Sequence, residues 1–314
     1  MSSSGSARTT CGSTTRRRPS IWSTPGGAAV SDPPREIRHL SHSSRDTFER
    51  CAKSWFLKYI ARAPQQPAVW SVGGSAVHRA TELYDLRSML TSPAGHWDIA
   101  DIWERSFEVE LTKAREKDPN ENAWRRAGGD DIDAWRRMGL GFVQWYIDWR
   151  ERSPWEIWTT PDGEPAIELD ISGRLPGCDV EIKAYLDRVF WDPTFKRYWI
   201  VDLKTSKRPP RDAAQFGVYR ALLKVKYDVD IADGVAFMNR LGTLARPFDL
   251  TEYTPEAVGQ VFAKTWAEIQ RGEFPATGIE NRGCFICDVS AACAAVNGPL
   301  ARLYDPASPG YTPF

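Results

Sequence analysis

Residues 182–205 have the sequence IKAYLDRVFWDPTFKRYWIVDLKT. Its two largely apolar ends, 182–190 and 198–205, are rich in aliphatic and aromatic residues and predict two β-strands. The Asp-Pro-Thr segment at 192–194 is typical of a turn that reverses the chain. The stretch therefore predicts an antiparallel hairpin within a β-sheet core.

Three charged side chains of this hairpin are expected on one face of the sheet. If the hairpin is symmetric about Thr194 and Phe195, Asp187 lies directly opposite Asp202, with the two side chains about 5 Å apart. Lys204 lies two residues beyond Asp202 and therefore points to the same face. A slip of one residue in the register would separate these groups, so the prediction depends on the turn.

Two carboxylates and one amine at the end of a hairpin suit a divalent metal ion and a phosphodiester. Mg²⁺ and Mn²⁺ prefer oxygen ligands, and one or two carboxylates completed by water and substrate phosphate are the usual set. Lys204 adds a fixed positive charge that can stabilise a phosphate or an attacking water. The alternative for Asp-x-Lys alone is an exposed strand end without a function.

The composition of the chain indicates a globular protein without a global charge signal. Its 314 residues are 42% hydrophobic and 26% charged, and no apolar run is long enough to span a membrane. The formal net charge is zero, so any affinity for nucleic acid has to come from local patches. One such patch, Lys207, Arg208 and Arg211, directly follows the hairpin.

The order of predicted elements indicates one mixed α/β domain with a helical subdomain. Residues 1–36 are poor in large apolar residues and predict a disordered tail, or an extension from a start site assigned too early. The predicted helices span about 43–59, 76–90, 211–226 and 254–271, with two or three more between 99 and 152, and the predicted strands span 157–158, 166–172, 180–190, 198–205, 234–239 and 245–250.

Two further motifs have spacings that fit a site near the hairpin. Gly74 precedes His78 by four residues, and we expect His78 in the first turn of a helix, where the dipole lowers the imidazole pKa and favours the metal-binding form. Glu82 lies on the same face. Gln215 and Tyr219, also four residues apart, can contact DNA or orient Lys204. The alternative for both motifs is ordinary helix packing.

Four of the six cysteines form a set, with three near the C-terminus and one in the first predicted helix: Cys284, Cys287, Cys293 and Cys51. Residues 1–36 contain no apolar core of a secretory signal, which makes disulfides unexpected and a cytoplasmic location the expectation. A metal that closes a long loop suits the set, and thiolates alone do not distinguish zinc from an iron–sulfur cluster. Cys11 and Cys178 lie outside it.

Taken in order, these motifs resemble the RecB-like branch of the PD-(D/E)XK nucleases, above all the CRISPR-associated Cas-four exonucleases and their phage-borne relatives. That family has a cysteine in an N-terminal helix, then Gly-x-x-x-His, Gly-x-x-Asp, Asp/Glu-x-Lys, Gln-x-x-x-Tyr and three C-terminal cysteines. The matching residues here are Cys51, Gly74 to His78, Asp187, Asp202 to Lys204, Gln215 to Tyr219, and Cys284, Cys287 and Cys293. The likeness covers about residues 39–298. It departs from the family at Ala184, where a glycine is expected.

The resemblance implies a restriction-endonuclease-like α/β fold, with a mixed sheet core flanked by helices. It implies a single nuclease domain over 37–298, with a helical subdomain at about 91–152, a catalytic sheet core at about 157–250, an iron–sulfur segment at 280–298 that closes onto Cys51, and a C-terminal tail at 299–314. It also implies Mg²⁺ or Mn²⁺ and a 4Fe–4S cluster, with zinc as a substitute. The implied metal ligands are His78, Asp187, Asp202 and the Leu203 main-chain oxygen, with Glu168 nearby, and Lys204 is implied as catalytic.

These residues lead us to expect a metal-dependent DNA exonuclease that acts at single-stranded ends or overhangs. Its setting would be recombination, repair or CRISPR spacer acquisition, with a helicase, a recombinase or CRISPR-adaptation proteins as partners and no membrane. The alternative is a non-catalytic subunit that binds DNA ends or serves as an adaptor in such a complex. The intact set of Asp187, Asp202 and Lys204 favours the enzyme.

Overall fold

The computed structural model describes residues 37–90, 98–280 and 283–312. The tail expected at 1–36 lies outside these residues. The helices are α1 (His42–Arg50), α2 (Ala52–Tyr59), α3 (Val69–Ser88), α4 (Ile99–Lys117), α5 (Ile132–Arg152), α6 (Ala214–Tyr227), α7 (Pro255–Gln270) and α8 (Ala301–Tyr304). The strands are β1 (His39–Leu40), β2 (Glu156–Ile157), β3 (Ile167–Asp170), β4 (Glu181–Ile182), β5 (Tyr185–Asp192), β6 (Arg197–Lys204), β7 (Asp233–Met238), β8 (Thr243–Leu244) and β9 (Phe248–Asp249).

A mixed seven-stranded sheet is built around the hairpin of β5 and β6. Strands β2 and β3 pair with β5 along its other edge, and β7 pairs in parallel with β6. Strands β8 and β9 both pair antiparallel with β7. Helix α6 makes the crossover between β6 and β7 that a parallel pair requires. A separate short parallel pair joins β1 to β4.

The register of the hairpin is the one predicted from the turn. The ladder runs from Asp192 opposite Arg197 to Arg188 opposite Val201. The next position along this register is Asp187 opposite Asp202, at the end of the ladder. The predicted register is therefore confirmed, and both aspartates lie on the same face of the sheet.

Both faces of the sheet are covered, which explains why its strands are nearly continuous apolar runs. Ile200 of β6 faces a core that includes Phe216 of α6 and Phe262 of α7. Val201 and Leu203 face a second core that includes Tyr146 of α5. The strand alternation thus directs Asp202 and Lys204 to the side of α6.

The helical subdomain consists of α3, α4 and α5, which pack on each other through their own apolar cluster. Helix α3 begins at Val69 rather than at the predicted 76, so that Gly73 and Gly74 lie within the helix. The physical reason is close packing: a Cβ atom on Gly73 would clash with the indole of Trp135. The two glycines allow a neighbouring helix and strand to approach and do not begin the helix.

The first predicted helix is two helices, because Cys51 between α1 and α2 has an extended backbone with φ −163° and ψ 104°. The C-terminal part of the chain satisfies the freed backbone groups. The amide of Lys53 donates to the Pro275 carbonyl at 3.0 Å, and the hydroxyl of Thr277 donates to the Arg50 carbonyl at 3.2 Å. The cap of α1 is Ser41, and Ser44 completes a capping box with it.

The chain remains packed beyond residue 298, where a C-terminal tail is expected from the sequence. The Asp305 side chain is buried and accepts hydrogen bonds from Lys53 Nζ at 3.0 Å and from the Ala294 amide at 2.9 Å. These contacts fix α8 and the residues after it against α2. The described residues up to 312 therefore belong to the folded domain.

Candidate active site

His78 lies at the contact between the helical subdomain and the sheet. Its Nε2 donates to the Leu203 carbonyl at 3.0 Å, and its Nδ1 lies 3.5 Å from both Glu168 Oε1 and Asp187 Oδ2. Helix α3 therefore supplies the imidazole, and the strands supply the groups around it.

The predicted effect of the helix dipole on His78 is wrong. The residue lies in the third turn of α3, beyond the reach of the helix terminus. Burial alone would lower its pKa, but the Asp187 and Glu168 carboxylates raise the pKa well above its usual value. Because both ring nitrogens face oxygen atoms, the charged imidazolium is the favoured form without a metal ion.

Asp187 is held in place by the hairpin. Its Oδ2 accepts a hydrogen bond from the Leu203 amide at 2.7 Å, across the end of the ladder. Burial acts to raise the pKa of Asp187, but His78 and Lys204 outweigh it and lower the pKa to about 2. The carboxylate is therefore ionised at neutral pH despite being buried.

Glu168 completes a group of acidic and imidazole ligands. It lies in β3 between the pairs Ile167–Arg188 and Leu169–Leu186, which places it beside Asp187. Its backbone has a φ of +47°, in the left-handed region that non-glycine residues rarely adopt. In the part of the chain that the structure describes, one group of three potential metal-binding side chains has its ligand atoms within 4.8 Å of one another. It consists of His78, Glu168 and Asp187.

Asp202 faces Lys204 rather than this group of three. Lys204 Nζ lies 2.5 Å from Asp202 Oδ2 and donates to Gln215 Oε1 at 2.9 Å. Gln215 Nε2 in turn donates to the Tyr219 hydroxyl at 2.6 Å. The Gln-x-x-x-Tyr motif thus orients Lys204, which is one of the two roles that the sequence suggests for it.

The charges of this second group depend on each other. Burial and the neighbouring Asp187 raise the pKa of Asp202 to about 6. Burial lowers the pKa of Lys204, but Asp202 reverses this effect and the net shift is upward. Although Asp202 Oδ2 is close to the amine, it is buried without a hydrogen bond of good geometry to any described residue. A polar atom in this state is suited to accept a further ligand.

A buried network behind the site is absent from the sequence predictions. Arg188 Nε donates to Asp85 Oδ2 at 2.7 Å, and the same guanidinium lies 3.3 Å from Glu168 Oε1. Asp85 also accepts from the Tyr146 hydroxyl at 2.6 Å and from Arg150 Nε at 3.1 Å. The sequence offers one indication of this network: Asp85 follows His78 by seven residues, which places both side chains on one face of α3.

The ligand set fits a hard divalent cation. Carboxylate oxygens of Glu168 and Asp187, from two strands, approach the Nδ1 of His78 within a partly buried cleft, and the Leu203 carbonyl lies at the other ring nitrogen. Oxygen-rich sets of this kind suit Mg²⁺ and Mn²⁺, and the imidazole is better suited to Mn²⁺. The Nδ1 proton of His78 would have to leave when an ion binds there.

Comparison with known proteins gives the family of this chain. Residues 39–294 match the PD-(D/E)XK nuclease superfamily. The chain belongs to this superfamily. It is 29% identical over 262 residues to the Gene 69 protein of Mycobacterium phage D29, and 27% identical over 281 residues to the Gene 69 protein of Mycobacterium phage L5. Each alignment covers 81% of this chain and 95% of the relative.

Membership in the PD-(D/E)XK superfamily indicates a metal-dependent nuclease with DNA as its substrate. The mixed sheet with helices on both faces is consistent with the fold of that superfamily. The similarity to two phage proteins fits a phage origin. None of the described helices of this nuclease is both long and apolar enough to cross a membrane.

The four cysteines of the nuclease line one small cavity between α2 and the C-terminal segment. Cys51, Cys284, Cys287 and Cys293 all contribute to it, and none of them forms a disulfide. A Cβ atom on Gly278 would lie 3.3 Å from the Cys51 sulfur and 3.4 Å from the Cys284 sulfur. Among the described residues, however, no three of these sulfurs lie within 4.8 Å of one another. Cys178 is buried elsewhere, and Cys11 lies outside the described residues.

The predicted basic patch lies in the segment between β6 and α6. Lys207, Arg208 and Arg211 are exposed there, just after the hairpin of β5 and β6. Gln215, which follows them, is in the first turn of α6. The patch therefore follows Lys204 closely along the chain and is accessible to solvent.

Proposed function

We propose that this superfamily nuclease is a Mg²⁺- or Mn²⁺-dependent exonuclease that acts on single-stranded DNA ends or overhangs. The observation that carries the proposal is the approach of His78, Glu168 and Asp187 to one point, next to the paired Asp202 and Lys204. Superfamily membership supports the phosphodiester as the bond that is cleaved.

Each residue has a definite role in this proposal. His78, Glu168 and Asp187 hold the ion, and the Leu203 main-chain oxygen and Asp202 are its further ligands. The ion, when bound, supplies positive charge to the phosphate and acidifies water. Lys204 places its ammonium group beside the cleaved phosphate, and Gln215 and Tyr219 keep the amine in that position. Lys207, Arg208 and Arg211 bind the DNA backbone.

Digestion of labelled DNA tests the proposal. Asp187→Asn and Lys204→Ala should each abolish metal-dependent digestion of end-labelled single-stranded DNA, whereas the exposed controls Asp162→Asn and Lys264→Ala should digest it normally. Circular single-stranded DNA should remain intact if the activity requires an end. Full activity in both site variants would discard this mechanism, and cleavage of the circle would make the enzyme an endonuclease.

We also propose that Cys51, Cys284, Cys287 and Cys293 bind a 4Fe–4S cluster. Their arrangement around one cavity supports this role. In a cluster each thiolate binds a different iron, which spaces the sulfurs more widely than the roughly 3.8 Å that tetrahedral coordination of one zinc ion requires. Among the described residues no three of the four sulfurs lie within 4.8 Å of one another, which is compatible with a cluster.

Anaerobically purified protein should contain about four iron and four sulfide per chain and show the visible absorption of the cluster. Cys287→Ser should reduce both, whereas Cys178→Ser, at a buried cysteine outside the cavity, should not. A content of one zinc ion per chain without iron would instead assign the four cysteines to a zinc site. In either case we place the enzyme in recombination, repair or CRISPR adaptation, together with a helicase, a recombinase or adaptation proteins.

A further inference from the structure

A cavity of about 790 Å³ opens beside Lys204, separate from the cleft that contains His78 and Glu168. Lys204, Gln215 and Tyr219 form one end of it. The rest is lined by the chain before α1, by α2 and by the segment between β4 and β5. None of the residues in these other walls has a role in the proposed catalysis.

The charged side chains that line this cavity are all positive. Arg38, Arg62, Lys183 and Lys204 line it, and no carboxylate of the described residues does. The cleft at His78 differs, because Glu82, Glu110 and Glu168 offset its two cations, Arg79 and Lys113. Cations gathered without acids make a site for an anion.

Three of the four cations are free to bind a ligand. Arg38, Arg62 and Lys183 are exposed and form no salt bridge with any residue in the described part of the chain. The pairing of β1 with β4 holds together the two segments that carry Arg38 and Lys183, since the Lys183 amide donates to the Leu40 carbonyl at 2.7 Å. Arg62 follows α2 on the opposite wall, with a left-handed φ of +56°.

Aromatic rings alternate with these cations. Tyr185 is 48% exposed, and Lys183 Nζ lies 5.4 Å from the centre of its ring. Tyr59 and Trp55 line the wall formed by α2. The Trp55 Nε1 and the Nδ1 of His42, which also lines the cavity, are buried polar atoms without a hydrogen-bond partner among the described residues.

We propose that this cavity binds the unpaired DNA strand next to the cleaved phosphate. Arg38, Arg62 and Lys183 bind backbone phosphates, and Tyr185 stacks on a base. Cationic grooves with aromatic platforms are the general means of binding single strands without sequence preference. A volume of about 790 Å³ has room for unpaired nucleotides. This inference rests on the proposed nuclease function and adds the path of its substrate.

Binding and cleavage can be measured separately. The probe is a fluorescein-labelled oligothymidylate, and its affinity is measured by fluorescence anisotropy in EDTA over a range of salt concentrations. The double variant Arg62→Ala/Lys183→Ala should bind at least tenfold more weakly, and its slope of log affinity against log salt should be shallower by about 1.4, because two phosphate contacts are lost. The control Lys117→Ala/Lys264→Ala removes two exposed amines outside the cavity and should match the wild type.

Tyr185 gives a second test that does not change the charge. Tyr185→Ala should weaken binding about fivefold or more, because a stacking surface is lost. Tyr185→Phe retains the ring and should bind as the wild type does. Circular dichroism and the melting temperature establish that each variant is folded, and a variant that is not folded is replaced by Lys183→Gln or Arg62→Gln.

The outcomes separate this inference from the nuclease proposal. Wild-type affinity and salt slope in both the double variant and Tyr185→Ala would overturn the cavity assignment, even if the enzyme digests DNA. Equal losses for a blunt duplex probe would overturn the assignment to an unpaired strand. Cavity-dependent binding in a protein without metal-dependent cleavage would support the cavity and discard the nuclease mechanism.

Discussion

At the scale of single residues, the site contains two neighbouring carboxylates whose pKa values are shifted in opposite directions. Asp187 and Asp202 face each other at the end of one hairpin, and both are buried. His78 and the Leu203 amide stabilise the charge on Asp187, whereas Asp202 has to share its surroundings with the charge of Asp187. One hairpin thus presents an ionised group and a group that titrates near neutrality.

The first prediction is that the affinity for Mn²⁺ rises as the pH increases through about 6. The folded, metal-free protein keeps a proton on Asp202 up to that pH, and the raised pKa of His78 keeps another proton on the imidazole to a higher pH. Because a bound ion must displace these protons, acid conditions weaken binding. Titration calorimetry on either side of pH 6 measures the effect.

The variant Asp202→Asn is the control for this titration. It removes one of the two protons, so its affinity should be lower but should change less steeply across pH 6. A Mn²⁺ affinity of the wild type that is constant from acid to neutral pH would contradict the assignment of Asp202 and His78 as ligands.

At the scale of elements, α3 contributes one residue to the candidate site and another to a buried ion-pair network. One face of this helix presents His78 to the site and Asp85 to two arginines, the buried Arg188 and the partly buried Arg150. Arg188 comes from β5, directly after Asp187, and also contacts Glu168. The network therefore fixes the angle at which α3 meets the sheet and, with it, the position of the imidazole.

The second prediction is that Asp85→Ala lowers the free energy of unfolding by about 3–5 kcal/mol. The change leaves the buried guanidinium of Arg188 and the partly buried one of Arg150 without their shared carboxylate, and the cost of an uncompensated buried charge is of this size. Urea denaturation of the metal-free protein measures it. The control Glu116→Ala, at an exposed position on α4, should change the value by less than about 0.5 kcal/mol. Equal stabilities of the two variants would show that the network is not structural.

Elements set by local patterns could be predicted from the sequence, and elements set by packing could not. The turn at Pro193 determines the register of β5 and β6, and the alternation of apolar residues determines which face Lys204 occupies. The predicted start of α3 is wrong because glycine is unfavourable within helices, so the sequence places Gly73 before the helix. Only the close packing of Trp135 explains why a glycine lies inside it. Likewise, the separation of α1 from α2 at Cys51 depends on contacts with Pro275 and Thr277, more than 200 residues away.

At the scale of the whole molecule, the two ends of the folded chain are joined. Lys53 and Lys58 of α2 pair with Asp305 and Asp288, at 3.0 Å and 2.6 Å. Cys51, Ala292 and Cys293 are buried in the same region. The C-terminal segment therefore stabilises the N-terminal helices that line the cationic cavity.

The third prediction is that Asp305→Ala destabilises the protein by about 1–3 kcal/mol, because Lys53 Nζ and the Ala294 amide lose a buried acceptor. A lower melting temperature and faster proteolysis of the C-terminal segment should accompany the change. Glu273→Ala, at an exposed position nearby, is the control and should behave as the wild type. A wild-type melting temperature for Asp305→Ala would show that residues after 298 do not support the fold.

The shortness of α2 has a consequence for experiments on either cavity. This helix has eight residues and is about 12 Å long. Cys51 at its N-terminal end borders the thiol cavity, and Trp55 and Tyr59, one and two turns later, border the cationic cavity. Helix α2 thus forms a wall of both cavities. We therefore expect a ligand in one cavity to restrict the motion of α2 and, with it, of the residues that line the other cavity. If the four thiols bind a metal group, we expect its loss to weaken DNA binding in the cationic cavity. Each measurement on one cavity therefore requires that the occupancy of the other is controlled.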